Sequence, residues 1–518
     1  MNQKSATPKD ASAVILIKDG KVLWAQRNPN LKFLGGWHAF PGGKTEKSDA
    51  EIEVRNCEDK ELEQFIVSAV RECFEEVGVL LVRGGEKLTR GQRASLHDDL
   101  ISGRSTFKEI LDHWNLWIDA EDFLYTGFWT TPNFSPIRFK TRFFIAECPA
   151  KQTPYAAINE LQNIEFITPK DALTRWENSE VLISPPVLIS LQVLAEFSPQ
   201  RHRDTEIFEE NIENQKEDLL SSVSLRLCGE NLREKSEKHD GIIAYLDLNP
   251  HITVFPLRTE TLPPATHTNC FIVGRKEFIV IDAASKDVSE IAKLCELLDS
   301  MIASGAVCKE IIVSHLHPDH FGGETVLQKH LQTKFGLKFP ISAHEITAES
   351  LKEKVVFQKF ITDNEVFSLK DEAGETFEIK ALHTPGHARG HLCFYDESKN
   401  FLLSSDNVIA TGSVVIAPPE GNLVDYLASL DRMKTLPNLR FLCGSHGSAI
   451  FNGKAKIDEY IAHRLEREKQ IISALESGAK TPREIVEKVY VGLDEKLVRL
   501  AEKSVEAHLE KLRAEARA

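Results

Sequence analysis

The 518-residue chain lacks a hydrophobic run long enough to cross a membrane. A spanning helix needs roughly 18 or more consecutive apolar residues, and no stretch of this sequence reaches that length. The first residues, MNQKSATPKDASAV, also lack the apolar segment of a secretory signal peptide. We therefore expect a cytoplasmic protein with no membrane partner.

The sequence also lacks the cysteine spacing of a disulfide framework. Its nine cysteines are scattered, their number is odd, and no two of them form a C-x-x-C pair. This usage is typical of reduced thiols in a cytoplasmic protein.

An excess of positive charge is missing too. The chain has 63 Lys and Arg against 78 Asp and Glu, a formal net charge of −15. This balance excludes a general basic footprint for nucleic acid but leaves room for a local basic groove. RNA is therefore a possible partner that the composition does not favour, and no feature of the sequence specifies an oligomeric state.

The length indicates about three domains, because a single core does not grow beyond roughly 250–300 residues. No internal repeat is found. Residues 201–240 are charged and poor in aromatics, as expected of a linker or a peripheral helix. We expect an N-terminal domain, this charged segment, a second large domain and a helical tail at residues 11–200, 201–240, 241–455 and 456–518, respectively.

The N-terminal domain begins with the pattern of a β-hairpin followed by a helix. SAVILI at residues 12–17 and KVLWAQ after Asp19-Gly20 predict two paired strands. Apolar residues at spacings of three and four predict a helix over 61–77, and Gly78 stands where a helix commonly ends.

Three glutamates carry the chemistry of this helix. Glu72, Glu75 and Glu76 lie three and four residues apart, so all three can point to one polar side. A divalent cation with oxygen ligands would relieve their mutual repulsion. The alternative is an ordinary acidic face exposed to solvent.

The surrounding residues favour the cation site, because they resemble the Nudix signature G-x5-E-x7-R-E-U-x-E-E-x-G-U. The loop GWHAFPGG at 36–43 resembles the glycine loop of that family, and Glu63 lies eight residues before Arg71. Two departures are Cys57 at the signature glycine and Cys73 after Arg-Glu. Gly43 lies 28 residues before Arg71, where the signature has 14, so fourteen residues are inserted, as in a branch that includes coenzyme A diphosphatases. The positions that match as they stand are Arg71, Glu72, Glu75, Glu76, Gly78 and Val79.

The resemblance implies an α/β/α sandwich that hydrolyses a nucleoside diphosphate linked to another group. Glu72, Glu75 and Glu76 would bind Mg²⁺ or Mn²⁺, Glu72 would also activate water, and Arg71 would orient the glutamates. The coenzyme A branch suggests an acyl-coenzyme A as one possible small-molecule substrate.

A second constellation follows an apolar strand in the C-terminal half. The sequence IIVSHLHPDH at 311–320 places His315, His317, Asp319 and His320 within six residues. Imidazole and carboxylate together suit Zn²⁺, and also Fe or Mn. Four such side chains at a strand end are too many for ordinary hydrogen-bonded core groups.

This H-x-H-x-D-H motif resembles the metallo-β-lactamase superfamily signature, whose other motifs follow in order. These are TNCFIVG at 268–274, VIDA at 280–283, HTPGH ending at His387, Asp406 in LLSSDNV and His446 in CGSHG. In that family a glycine usually precedes the aspartate, and here the residue is Ser405.

The resemblance implies two metal ions in an αβ/βα sandwich. One would take His315, His317 and His387, and the other Asp319, His320 and His446. Asp406 would bridge them, and Asp319 would take part in catalysis. Neighbouring His383, His391 and His344 are expected to support the structure.

Three further stretches resemble the glyoxalase II and β-lactamase-like-2 branch, which ends in a winged-helix-like tail. They are PPATHTN at 263–269, Y-x-x-S-L at 426–430 and H-R-x-x-R-E at 463–468. This chain ends at KLRAEARA, so we expect a helical tail without wing strands.

The sequence thus predicts a mixed α/β and α+β protein with two metal-dependent hydrolase sites, one for diphosphates and one for thioesters or related esters. Two alternatives remain open. The second site could be an endoribonuclease, or the Nudix-type domain could sense a ligand beside a single working hydrolase.

Overall fold

The computed structural model describes residues 6–31, 33–196, 222–238 and 240–515. The chain divides into two compact units, Met1–Ala244 and Tyr245–Ala518. None of the helices within the described ranges has the length and apolarity of a membrane span.

The first unit is built on one large sheet with the strand order β10-β3-β2-β1-β8-β7, in which β4 also pairs with β1 and β9 with β2. Strands β1–β10 are Lys9–Lys18, Lys21–Arg27, Trp37–Ala39, Gly42–Lys44, Val54–Arg55, Ile118–Asp119, Leu124–Thr130, Phe139–Glu147, Leu161–Ile167 and Leu182–Ile183. Helices α1–α6 are Lys60–Val77, Arg90–Ile101, Phe107–Trp114, Pro169–Glu177, Pro185–Glu196 and Ser222–Lys238.

The alternation of side chains along β1 produces three layers. Val14 and Leu16 point into the core that contains α1. Ala13, Ile15 and Ile17 point to the opposite face, whose core includes residues of α4, α5 and α6. Because every second residue faces the other side of a sheet, this central strand is apolar on both faces. The α/β/α sandwich predicted from the sequence is confirmed.

Helix α1 ends at Val77, as its sequence predicts, and begins at Lys60, one residue before the predicted start. The Asp59 side chain accepts a hydrogen bond from the backbone N–H of Glu61 at the N-terminus. Gly78 adopts a left-handed conformation with φ 67° and donates to the Phe74 carbonyl at the C-terminus. These caps fix where the glutamates stand relative to the sheet.

The charged segment predicted at 201–240 ends in a helix. Residues 222–238 form α6, which packs against β7, and its Leu225, Cys228 and Leu232 belong to the core of the first unit. The earlier part of the segment, 201–221, lies outside the described residues.

The second unit contains a seven-stranded sheet, β11 to β17 in chain order, and a five-stranded sheet, β18 to β22 in chain order. Strands β11–β22 are Leu246–Asn249, Ile252–Arg258, His267–Val273, Glu277–Ile281, Val307–Ile312, Ile341–His344, Lys359–Ile361, Val366–Lys370, Thr376–His383, Leu392–Asp396, Phe401–Ser405 and Phe441–Gly444. Helices α7–α13 are Val288–Ala303, Glu324–Phe335, Glu345–Leu351, Leu423–Lys434, Gly453–Glu476, Pro482–Val489 and Val498–Ala514.

Helices cover one face of each sheet. Cys270 and Ile272 of β13 pack in a core with Leu294 of α7. Cys393 of β20 packs in a separate core with Leu430 of α10. The chain thus forms the layered αβ/βα arrangement that its motifs predict.

Backbone hydrogen bonds join the two sheets at one end. The Leu392 N–H donates to the Ser314 carbonyl at 3.0 Å, and the Asn269 N–H donates to the Ser445 carbonyl at 2.7 Å. Both acceptors lie in loops that follow strands, β15 and β22. The loops that carry the predicted metal ligands therefore converge at this end.

The tail is helical, as expected. In the described range 453–515 the chain forms α11, α12, α13 and a short 3₁₀ turn, and no strand. Ile471, Ile485, Val505 and Leu512 are among the residues of its own small apolar core.

Candidate metal centres

The predicted histidines and aspartates of the second unit come together in space. Their nitrogen and oxygen atoms form three overlapping groups, and within each group the atoms all lie within 4.8 Å of one another. The groups are His315, His317 and His387; His315, His320 and Asp406; and Asp319, His320 and His446.

Asp406 lies between the histidines predicted for one metal ion and those predicted for the other. Its Oδ2 is 3.5 Å from His320 Nε2 and 3.6 Å from His387 Nε2. Its Oδ1 is 3.5 Å from His446 Nε2, and Asp319 Oδ2 is also 3.5 Å from that nitrogen. The Asp406 carboxylate thus faces the predicted ligands of both metal ions, which is the position that a bridging ligand requires.

The nitrogen and oxygen atoms of this cluster fit divalent cations, because several of them are buried without a hydrogen-bond partner. His320 Nε2, His387 Nε2 and Asp406 Oδ1 are buried and make no hydrogen bond. Buried polar atoms are almost always paired, so three such atoms turned toward one another indicate a missing partner. His315 Nε2 and His317 Nδ1 lie 3.0 Å apart, close enough to share an ion whose bonds to nitrogen are about 2.0–2.1 Å.

Burial and neighbouring charges lower the pKa of some of these histidines and raise that of another. Burial lowers the pKa of His387 to about 3, with His317 as a further cause, and it lowers the pKa of His315 well below its ordinary value. These imidazoles are neutral, as metal ligands must be. Burial would also lower the pKa of His446, but the carboxylates of Asp406 and Asp319 outweigh it and raise the value to about 10.

The outer ring nitrogens are held by a second set of groups. His320 Nδ1 lies 2.8 Å from Asp282 Oδ2, and His387 Nδ1 lies 2.8 Å from the Val415 carbonyl oxygen. His446 Nδ1 lies 2.9 Å from the His267 carbonyl oxygen. Such contacts fix which nitrogen faces the site.

Asp282 is a functional residue that the sequence reasoning did not assign. Its carboxylate also accepts hydrogen bonds from the backbone N–H and hydroxyl of Ser314 at 2.7 Å each. The signal was present in the motif VIDA, whose aspartate ends an apolar strand. Strand β14 ends at Ile281, directly before this aspartate, because Asp282 has a left-handed φ of 59°.

Ser405, which replaces the usual glycine before Asp406, keeps a backbone conformation that is typical of glycine. Its φ is 45°, a conformation that glycine adopts without steric cost. Its hydroxyl lies 2.8 Å from that of Ser314 and accepts a hydrogen bond from Ser445 at 3.3 Å. The serine therefore keeps the glycine-like turn and ties three loops together.

The three neighbouring histidines have the supporting contacts that were expected. His391 Nε2 accepts from the Asp406 N–H at 3.2 Å, and its Nδ1 lies 3.0 Å from the Thr384 hydroxyl. His383 and His344 stack with their ring centroids 4.0 Å apart. None of the three belongs to the tight clusters formed by the described residues.

The H-R-x-x-R-E motif links the site to the tail. Arg464 of α11 is buried, and it donates to the Val414 carbonyl at 2.5 Å, one residue before the carbonyl that His387 faces. Four residues further on, Glu468 accepts from Lys511 of α13 at 2.7 Å. A single helix face therefore contacts both the metal-site loop and the last helix.

In the first unit, Arg71 connects two of the predicted glutamates. Its Nη1 donates to Glu72 Oε1 at 2.9 Å and to Glu75 Oε2 at 3.1 Å. Glu76 points elsewhere, because its Oε2 accepts from the Gly42 N–H at 2.8 Å. Among the described residues the three glutamates do not form a cluster as tight as that of the second unit.

The glycine loop lies directly against this helix. A Cβ added to Gly43 would lie only 2.4 Å from the Glu72 carboxyl carbon. That contact is with the far end of a flexible side chain, whereas a Cβ on Gly42 would lie 2.2 Å from the Ser12 carbonyl oxygen, so Gly42 is the residue of this loop that close approach of the backbone requires to be glycine.

Burial raises the pKa of these carboxyls. Burial, with repulsion from Glu75, raises that of Glu72 to about 7 against the opposing effect of Arg71. Burial and the charge of Glu72 raise that of Glu76 to about 8. Carboxyls that cost free energy to ionise without a partner favour a cation beside them.

Known proteins match the second unit over most of its length. A sequence profile of the metallo-beta-lactamase superfamily matches residues 263–446, and one of the beta-lactamase associated winged helix domain matches residues 481–518. The lactamase-like protein adaB of Aspergillus niger is 30% identical over 245 residues, 44% of this chain and 70% of that protein. An atrochrysone carboxyl ACP thioesterase of Pseudocercospora fijiensis is 30% identical over 259 residues, 48% of this chain and 71% of that protein.

The structure of a NUDIX hydrolase from Alicyclobacillus acidocaldarius is also similar, with 30% identity and a TM-score of 0.33 over 37% of this chain and 92% of that one. The family is established by the curated relatives, of which this chain covers more than two thirds, and by the profile that spans the histidine and aspartate cluster. The chain belongs to the metallo-β-lactamase superfamily.

Proposed function

We propose that the second unit is a two-metal hydrolase of a thioester or a related ester. The observation that carries the proposal is the buried cluster of His315, His317, Asp319, His320, His387, Asp406 and His446, with Asp406 between two sets of ligands. We propose Zn²⁺ as the metal, with Fe and Mn as alternatives, because imidazole and carboxylate suit all three.

Three histidines, His315, His317 and His387, would hold one ion. Asp319, His320 and His446 would hold the other, and Asp406 would bridge them. When bound, two such ions activate water near neutral pH and polarise the substrate carbonyl oxygen.

The protein's own contribution is orientation and proton handling. Burial would raise the pKa of Asp319, but the neighbouring imidazoles of His320 and His446 hold it well below its ordinary value. Asp319 is therefore an ionised carboxylate, and we propose that it orients the attacking water. Thr261, whose hydroxyl lies 3.4 Å from His446 Nε2, lies beside the same carboxylate.

Thioesters are favoured over other esters by two relatives that are named as acyl-carrier-protein thioesterases, each 30% identical to this chain. The ester-type carbonyl also needs only the polarisation and water activation that such a site provides. RNA cleavage is the alternative, and the acidic composition does not favour it.

The test is thioester hydrolysis by the whole chain, followed through the released thiol. We expect zinc-loaded protein to hydrolyse acyl-pantetheine or acyl-coenzyme A, and Asp319→Ala to reduce kcat/KM by about a hundredfold or more. Circular dichroism should be unchanged, because the ligands of an open site serve mainly the chemistry. Turnover of single-stranded RNA with none of thioesters would contradict the proposal.

We propose a second activity for the first unit, a Nudix-type hydrolysis of nucleoside-diphosphate derivatives. The specific observation is the set of partly and fully buried glutamates on α1, joined through Arg71 and packed against the glycine loop. Glu72, Glu75 and Glu76 would bind Mg²⁺ or Mn²⁺, which would neutralise the pyrophosphate. Glu72 would accept the proton of the attacking water.

This activity should require added Mg²⁺ or Mn²⁺ and should fail in Glu75→Gln, because loss of one charge weakens cation binding. The measurement is a screen of dinucleotides, nucleotide sugars and coenzyme A by product chromatography. Equal turnover of the best substrate by the variant and the natural protein would exclude this assignment. Binding of a nucleotide without turnover would support the ligand-sensing alternative.

A further inference from the structure

Two lysines of the second unit approach one aromatic ring beside the metal centre. The Nζ atom of Lys286 lies 5.8 Å from the centroid of the Phe321 ring, and the Nζ atom of Lys354 lies 5.4 Å from it. Phe321 is only 5% exposed, and it directly follows His320, one of the predicted metal ligands. Both ammonium groups therefore lie next to the loop that contains the histidine motif.

The two lysines come from different segments, and packing holds each of them near the ring. Lys286 lies between β14 and α7, and a Cβ added to Gly322 would be 2.7 Å from its Cγ. The stem of Lys286 thus lies along a backbone that has no side chain at this point. Lys354 follows α9, and the next residue, Val355, packs in the same apolar core as Phe321.

The ammonium groups of these lysines have no acidic partner within the described ranges of the chain, although both side chains are exposed. Carboxylates nearby in the sequence bond to backbone groups instead. Asp287 caps the N-terminus of α7, and the buried Glu324 accepts a hydrogen bond from the Gly322 N–H at 2.6 Å. Two like charges near one ring repel each other, and an anion bound by both would offset that repulsion.

From this arrangement we infer that Lys286 and Lys354 form a binding site for the phosphate of a phosphopantetheine thioester. The inference rests on the proposed thioester hydrolase. In such a substrate the phosphate lies at the end of the pantetheine arm that is remote from the sulfur, so its site must lie apart from the metal ions. Neither lysine belongs to the groups of metal-binding residues, and a lysine binds phosphate as a point charge.

The test compares two thioesters that have the same acyl group, acyl-pantetheine and acyl-4′-phosphopantetheine, with the full-length, zinc-loaded protein. We expect kcat/KM to be about tenfold higher for the phosphorylated compound, mainly through a lower KM. Lys286→Met and Lys354→Met should each reduce this preference by about threefold, and the double variant should abolish it. Hydrolysis of acyl-pantetheine should stay unchanged in all three, because that compound has no phosphate.

A matched control is available in the same segment. Lys352 binds Glu349 at 2.5 Å, so Lys352→Met removes a lysine that already has a partner and should leave the preference as it is. Lys286→Arg keeps the charge and should also keep the preference. Added salt provides a test that needs no variant, since screening of exposed charges should reduce the preference of the natural protein.

Three results would overturn the inference. They are equal kcat/KM for both thioesters in the natural protein, an unchanged preference in the double variant, and a loss in the double variant that is confined to cleavage of single-stranded RNA. Hydrolysis of neither thioester would instead refute the proposed thioester hydrolase, and the inference with it.

Discussion

Two non-glycine residues of the metal centre hold left-handed backbone conformations. Asp282 has a φ of 59° and Ser405 a φ of 45°, which side chains with a Cβ adopt at a steric cost. Hydrogen bonds to Ser314, formed by the Asp282 carboxylate and the Ser405 hydroxyl, offset this steric cost. Strain at these positions therefore coincides with the loops that present His315, His320 and Asp406.

His508 of the tail is a buried histidine without a hydrogen bond. It is 1% exposed, and neither ring nitrogen makes a hydrogen bond, although Glu468 Oε2 lies 4.0 Å from its Nδ1. Burial, together with the positive charges of Arg464 and Lys511, lowers its pKa to about 3. The folded tail therefore holds a neutral imidazole.

This burial predicts a pH dependence of tail stability. Below about pH 6.5 the unfolded chain binds a proton at His508 that the folded chain does not bind, so stability falls as pH decreases toward 3. The loss should approach about 1.4 kcal/mol per pH unit within this window. His508→Phe should remove that contribution, and hydrogen exchange of α13 at pH 7.5 and 5.5 measures it. Equal pH dependence in both proteins would contradict the prediction.

Helix α11 is the element that joins the hydrolase core to the tail. Its Arg464 also lies over the ring of Tyr426 on α10, 5.3 Å from the centroid. The Tyr426 hydroxyl donates to the Asn407 carbonyl at 2.6 Å, directly after Asp406. Helices α10 and α11, through Tyr426 and Arg464, therefore hold the backbone segments that lie beside His387 and Asp406.

Arg464→Met should reduce metal retention at the site by about tenfold, because the Val414–Val415 segment loses the donor that fixes it. Elemental analysis after dialysis against a weak chelator measures this loss. Arg467→Met is the matched control, since Arg467 contacts Gln470 and the Val489 carbonyl in the tail. Full zinc content in Arg464→Met would show that the loop does not depend on the helix.

At the scale of the whole molecule, the two hydrolase sites that we propose differ in chemistry and share one chain. An acyl-coenzyme A contains both a pyrophosphate and a thioester. Fusion raises the effective concentration of one site for the product of the other when both act on one metabolite.

If both sites use this metabolite, the natural protein should release free thiol and 3′,5′-ADP from acyl-coenzyme A. Asp319→Ala should then lose only the thiol, and Glu75→Gln only the 3′,5′-ADP. Liquid chromatography of both products on short- and long-chain substrates tests this. Release of one product would indicate two independent hydrolases, and release of neither would exclude the shared substrate.

The sequence by itself determined the candidate residues for the chemistry and the elements on which they lie. His315, His317, Asp319 and His320 follow a strand, and the glutamates lie on an amphipathic helix with a glycine at its end. Such features are local, because side-chain periodicity and ligand spacing depend on residues close in the chain. The helix α1 and the α/β layering were predicted for this reason.

Only the tertiary structure decided which groups orient those residues. Asp282 lies 38 residues before His320. The loop at Val415 meets His387 through a backbone carbonyl, which has no sequence signature. Hydrogen bonds between distant segments depend on how strands and helices pack, and a buried polar group takes whichever partner that packing brings within reach.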